Sequence, residues 1–339
     1  MTRTDGNSTD GNNTDGNSTG GSLADGSGAE GNDTMRAMVY ESYGAPDVLS
    51  LSRRPRPKVG PGEVLVRVRT ASVNPVDWKL MSGGLDGLMD VFFPVIPGWD
   101  VAGVVEETGI DAPEFAVGDE VIAYARKDYV QGGTFAELVT VPVRALAAKP
   151  ASLSWDQAAG LPLAGLTAYQ LLTRLGVGPE DVVLIHGAGG GVGSLGVQIA
   201  RALGARVIAT ASRANHERLR DLGAEPVEYG EGLADRVRAL APSGVTVVAD
   251  FVGGVLEATL AVLGEGGRHA SIADDSVIGA GGRWMWVRPD SADLTALGRL
   301  ADDGKLTVPV ARTFPLEELA DAFALSRSGH TQGKIIVRV

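Results

Sequence analysis

The segment 181–210 limits the possible folds more than any other part of the chain. Asp181-Val182-Val183-Leu184-Ile185-His186 is an apolar run of the length of a buried strand. It passes directly into Gly187-Ala188-Gly189-Gly190-Gly191-Val192-Gly193. Leu195, Ile199 and Leu203 then recur at helical spacing, and Arg206-Val207-Ile208-Ala209-Thr210 reads as a second strand. Neighbouring parallel strands need a crossover of about a dozen residues or more, usually a helix, so the segment predicts a βαβ unit. The alternation continues with helices predicted at 215–222, 233–240 and 255–263, and strands at 226–229, 245–250 and 268–272. An α/β fold with a doubly wound parallel sheet is expected.

A glycine-rich turn between a strand and a helix N-terminus lets backbone N–H groups and the helix dipole meet a pyrophosphate where no side chain intervenes. The strict G-x-G-x-x-G match falls on Gly191, Gly193 and Gly196, inside the helix; the physically placed version is Ala188, Gly190 and Gly193. The alternative is a glycine-rich hinge or close helix packing. Sites for NAD usually end their second strand with an acidic residue that binds the ribose hydroxyls. From Val207 to His216 there is none, and Thr210-Ala211-Ser212-Arg213 offers a hydroxyl and a guanidinium instead. A guanidinium matches phosphate in a bidentate fashion, which favours NADPH; an ordinary solvated Arg213 is the other reading.

The chain has 339 residues, room for two domains. Between 35 and 150 the texture is short strands broken by Gly and Pro: Val64, Val66 and Val68 alternate with Leu65, Arg67 and Arg69, and further strands are predicted at 101–106, 120–124 and 134–141. A compact β barrel or sandwich is expected there. Residues 1–34 are a low-complexity repeat of Asp, Gly, Asn, Ser and Thr with one Arg against five Asp and one Glu, too poor in apolar residues to dock, and are expected to be a disordered tail. The chain has no Cys, which removes disulfides, thiolate nucleophiles and cysteine-ligated metal. His186, His216, His269 and His330 lack ligand spacing, so no metal site is expected. A net charge of −12 argues against nucleic acid as a partner, and no apolar run reaches membrane-spanning length.

With these residues in hand, the chain resembles the medium-chain dehydrogenase/reductases, in particular the zinc-free quinone-oxidoreductase (zeta-crystallin-like) group. The likeness rests on Ser72-Val73-Asn74-Pro75-Val76-Asp77, Pro97-Gly98-Trp99-Asp100-Val101-Ala102-Gly103, Leu166-Thr167-Ala168-Tyr169, the glycine turn, Asp250-Phe251-Val252-Gly253-Gly254 and Gly333-Lys334-Ile335-Ile336. It implies a GroES-like β-rich catalytic domain at 35–162, a Rossmann domain binding NADP at 163–302, and a return to the first domain at 303–339. Zinc-dependent relatives place their ligands where this chain has Asn74 and Trp99-Asp100. The resemblance also implies that Asn74 lies beside the nicotinamide ribose and the substrate, and that Thr167 touches the nicotinamide end. Gly189, Gly190, Gly191 and Val192 would cover the pyrophosphate, and Ser212, Arg213 and Tyr229 would surround the adenosine phosphate, with strand-end packing as the other reading of Tyr229. Phe251, Val252, Ser271 and Ile272 would line the path to the nicotinamide, and Lys334 would approach the cofactor.

Without a metal, the easiest hydride chemistry is addition to a carbon conjugated with a carbonyl, so NADPH-dependent reduction of quinones or α,β-unsaturated carbonyls is expected. Asn74 is expected to donate to the developing enolate oxygen through its amide. Tyr124 and Tyr129, placed in a loop facing the cleft, are candidate proton donors, with a packing role as the alternative for each. Phe92, Phe93, Trp78, Trp284 and Trp286 are candidate apolar walls, and Trp284-Met285-Trp286 is the expected contact of a homodimer. An enoyl reductase tailoring a secondary metabolite and a crystallin-like NADPH-binding protein with little catalysis are the alternative functions, and the cytoplasm is the expected location.

Overall fold

The structure, a computed structural model, describes residues 33–329 and 331–339. The expected disordered tail falls, up to residue 32, outside the described residues, as does His330.

Six parallel strands form one sheet, in the order Glu225–Val227, Arg206–Thr210, Val182–His186, Val245–Asp250, Leu263–Ser271 and Arg283–Trp284. Numbered along the chain this is 3-2-1-4-5-6, the doubly wound order, with the direction of winding reversing beside the strand that carries the glycine turn. Both faces are covered, which is why these strands read as continuous apolar runs rather than alternating ones. Leu184, Ile208 and Val248 pack on one face against Leu233, Val237 and Val262 of the helices Leu233–Leu240 and Leu256–Val262. Val183, Ile185, Val207, Val247 and Ala249 face the main core, where the helices Pro162–Arg174, Gly191–Ala202 and Ser291–Asp302 lie. Full burial of each such Val, Leu or Ile stabilises the fold by about 1.5–3 kcal/mol.

The second, seven-stranded sheet is built around Glu63–Val73. This strand pairs antiparallel with Asp100–Thr108, with Leu138–Pro142 and with Lys334–Arg338, where Ile335 faces Val73 and Arg338 faces Thr70. Val64, Val66 and Val68 are buried in the main core. Leu65, on the opposite face, is buried too, in a small cluster with Met35, Val39 and Leu138. Residues 35–150 are not only strands: Pro75–Met81 is a helix opened by Asn74, whose backbone N–H is accepted by the Asp77 carboxylate at 2.7 Å, with Pro75 in the first turn.

Candidate active site

A large cleft runs between the two sheets, enclosing about 2030 Å³ with its open solvent included. On one side it is lined by Gly187, Gly190, Gly191, Val192 and Gly193, by Phe251 and Val252, and by Ile272 and Ala273. These follow the carboxyl ends of three neighbouring parallel strands, where open α/β sheets bind ligands.

The glycine turn is built for a close-fitting anion. Gly187 sits at φ +72°, a conformation suited to glycine. The helix Gly191–Ala202 begins at Gly190 with no side-chain cap, so no side chain takes the place of a ligand at its first turn. A Cβ on Gly193 would come within 2.3 Å of the Gly187 carbonyl oxygen, so helix and turn touch only because the residue is glycine. A pyrophosphate-bearing dinucleotide therefore fits these residues. The placed version of the motif, rather than the strict one, is the one standing at the helix start.

The other wall comes from the seven-stranded sheet, and from the last strand of the six-stranded sheet and the segment after it. It includes Asn74, Val76, Lys79, Leu85, Tyr124, Trp284, Trp286 and Lys334. At its floor is a buried polar cluster. The Lys334 ammonium donates to Asn74 Oδ1 at 2.5 Å and stands 3.7 Å from Asp100 Oδ2. The Asn74 amide nitrogen donates to Asp100 Oδ2 at 2.8 Å and to the Ser72 carbonyl at 3.3 Å, and the Leu163 N–H donates to Asp100 Oδ1 at 2.7 Å. Burial pushes the Asp100 carboxyl up to about 6, against the opposing pull of Lys334 and Asn74. Burial likewise pushes Asp77 up to about 8, and it lowers Lys334, whose charge Asp100 helps to retain.

Several expectations change here. Asn74 lines the cleft, but both amide hydrogens are committed, so it has no donor left for an enolate oxygen. The amide cannot be turned over, because that would set its NH₂ against an ammonium and its oxygen against a carboxylate. Tyr124 ends the strand Glu120–Tyr124 instead of lying in a loop; it lines the cleft, and its buried hydroxyl has no hydrogen-bond partner among the described residues. Tyr129 borders a separate small pocket beside Tyr40 and Asp77 and stacks edge-on against Phe92, so it does not face the cleft. Ser271 is fully buried and donates to Asp250 Oδ2 at 2.7 Å while accepting from the Ala273 and Asp274 N–H groups: it shapes the turn and is not part of the lining. Thr167, Phe251, Val252, Ile272 and Lys334 do line the cleft, with the Thr167 hydroxyl donating to the Leu163 carbonyl. Trp284 and Trp286, read as part of a dimer contact, also line it, whereas Phe92, Phe93 and Trp78 do not.

Gly189, within the glycine turn, is not part of the cleft lining, and neither are Ser212, Arg213 and Tyr229. Arg213 is 84% exposed and pairs with Glu228 at 2.9 Å; Ser212 Oγ accepts from Asn215, and Tyr229 is exposed. Arg218 donates to the Gly189 carbonyl at 2.7 Å, and its buried Nε has no partner among the described residues. Sequence reasoning missed Asp100 and Glu228 as participants. The Asp100 signal was available: an acidic residue inside an apolar strand has to be paired.

Residues 60–151 match the alcohol dehydrogenase GroES-like domain family, and residues 222–337 the zinc-binding dehydrogenase family. The donor set does not fit the metal in that family's name: no group of three His, Cys, Asp or Glu among the described residues is placed to hold an ion, and Asp100 is already engaged by Lys334, Asn74 and Leu163. The NADPH-dependent alkenal/one oxidoreductase of Arabidopsis thaliana chloroplasts is 35% identical over 313 residues, covering 89% of this chain and 79% of the relative. The quinone oxidoreductase of Coxiella burnetii superposes with a TM-score of 0.79 at 33% identity, over 90% of this chain and 99% of that one. The mycobacterial protein Rv1454c, solved in complex with NADPH, does so at 0.77 and 29% identity, over 90% and 100% of the two chains. With a doubly wound sheet, an uncapped glycine turn and a GroES-like partner domain facing each other across one cleft, the chain belongs to the medium-chain dehydrogenase/reductases, in their quinone-oxidoreductase group.

Proposed function

We propose that this protein is an NADPH-dependent, zinc-independent reductase of quinones and of C=C bonds conjugated with a carbonyl. The observation that carries the reading is the cleft that joins the glycine turn to the buried Asn74–Asp100–Lys334 cluster under walls that include Val76, Leu85, Trp284 and Trp286. Bound NADPH would supply a hydride at its nicotinamide. The residues present then have three tasks. Gly190, Gly191 and Val192 hold the pyrophosphate through backbone N–H groups. Thr167, Phe251, Val252 and Ile272 surround the nicotinamide end, and Ser212, Arg213 and Tyr229 meet the 2′-phosphate. The apolar walls hold a flat acceptor and exclude water, which strengthens whatever polar contact its oxygen makes.

A screen of NADPH consumption across naphthoquinones, enals and cyclic enones, with primary alcohols and NADP⁺ in the reverse direction, tests this. Consumption with the conjugated acceptors and none with the alcohols is expected. NADPH binding without turnover of any acceptor would overturn the enzymatic reading.

A further inference from the structure

The buried cluster assigns its groups unequally. Asn74 spends both amide hydrogens on Asp100 and Ser72, and its oxygen on Lys334. Asp100 receives hydrogen bonds on both oxygens, from Leu163 N–H and from Asn74. Lys334 is the exception. An ammonium has three N–H donors; Asn74 takes one, and Asp100, an ion-pair partner at 3.7 Å, can take at most one more, which leaves a donor without a partner among the described residues. Lys334 lines the cleft on the same floor as Asn74. Its stem runs beside Gly160 and Gly191, where a Cβ would stand only 3.1 and 3.2 Å from Lys334 Cγ and Cδ, so the glycines leave it the room to pass the glycine turn.

We propose that Lys334 is the catalytic residue that binds the acceptor's carbonyl oxygen as negative charge develops on it, with Asn74 and Asp100 as positioning residues that aim the ammonium and hold it charged. This rests on the reductase reading above. As the hydride bonds to the β-carbon of an enone, the C=C pair moves to join the α-carbon to the carbonyl carbon, and the C=O pair settles on oxygen. That oxygen accepts from Lys334, a solvent proton then bonds to the α-carbon, and the cofactor leaves oxidised. The interaction strengthens as the charge appears, so it acts on the transition state more than on the bound ground state. Tyr124, whose hydroxyl is unpartnered on the same wall, is the competing donor.

Full-length protein carrying Lys334→Met is expected to lose about 10²–10³-fold in kcat for 2-cyclohexenone. Its NADPH affinity, read by tryptophan fluorescence, should change little, and Tyr124→Phe should lose less. Methylammonium should restore part of the activity of Lys334→Ala. A second readout needs no turnover: in the presence of NADP⁺, 4-nitrophenol bound to the wild type should ionise at lower pH than in solution, seen in its phenolate band, and this shift should vanish in Lys334→Met. If that variant fails to fold because the Asp100 carboxylate is left without its counter-charge, the Asp100→Asn/Lys334→Met pair removes both charges and takes the same measurements. Full kcat in a folded variant, a loss confined to NADPH affinity, or a phenol shift that survives without Lys334 would each overturn the proposal. Wild type that reduces no conjugated acceptor would overturn the reductase reading, while the phenol shift would still show whether Lys334 binds an oxyanion.

Discussion

Arg213 shows how a residue found by pattern is changed by its neighbour. The guanidinium is exposed and already shares a carboxylate with Glu228, so a 2′-phosphate would have to displace or accompany that partner. A hydrogen bond to a charged group contributes about 1.5–3 kcal/mol, and the exposure places Arg213 at the lower end. Arg213→Ala is therefore expected to weaken NADPH binding about 10-fold and to leave NADH binding unchanged, with a smaller NADPH loss at high salt because mobile ions screen the contact. Glu228→Gln should act the other way and tighten NADPH binding, since it frees the guanidinium and removes a like charge. Isothermal titration of both cofactors against both variants checks this; equal losses of NADPH and NADH in Arg213→Ala would remove Arg213 from the phosphate site.

At the scale of elements, the glycine turn and the helix behind it fit so closely that one methyl group is enough to part them. Gly193→Ala would set a Cβ 2.3 Å from the Gly187 carbonyl and 2.7 Å from Ala188 Cα, both backbone atoms with no rotamer to escape into. Overpacking of this kind costs about 1–3 kcal/mol, and because the displaced helix carries the first-turn N–H groups, cofactor affinity should fall with it. Gly178→Ala, with open space around it, is the control and should leave both urea midpoint and affinity unchanged. The alternating strands and helices after residue 181 were legible because strands covered on both faces are long apolar runs, and the helices between them carry an apolar stripe. What was not legible is instructive. The helix Pro75–Met81 is only seven residues, too short for a periodic signal, and its start is set by Asn74, Pro75 and Asp77. Tyr129 sits five residues beyond Tyr124 in the chain, yet the chain turns after Tyr124 and carries it into a different pocket. Lys334 was found as a motif position, but its partners are Asn74, just past the strand Glu63–Val73, and Asp100, at the start of Asp100–Thr108, and no spacing along a chain encodes which of them it will meet.

Stability and metal dependence belong to the whole molecule. His186 is buried between Thr210 and Thr259, at 3.4 and 3.3 Å, and burial lowers its pKa from 6.5 to about 4. The unfolded chain therefore binds a proton between those values that the folded chain does not, so this group's contribution is complete above pH 6.5 and is lost as pH falls toward 4; at pH 5 the loss amounts to about 2 kcal/mol. The thermal midpoint of His186→Gln should fall less between pH 7 and pH 5 than that of the wild type; parallel slopes would count against the assignment. Prolonged dialysis against a chelator should leave NADPH-dependent turnover intact, since no group of three His, Cys, Asp or Glu among the described residues is placed to hold an ion; loss of activity reversed by Zn²⁺ would contradict it. The pairing of Lys334–Arg338 with Glu63–Val73 has a consequence for synthesis. A chain interrupted between residues 316 and 333 holds the glycine turn and every strand of both sheets but Lys334–Arg338, and still lacks the ammonium that Asn74 and Asp100 are arranged around. On the role proposed for Lys334, such a fragment would keep the phosphate-binding turn and lack the group that receives the acceptor's oxygen, so turnover would wait for the strand that closes the sheet against Glu63–Val73.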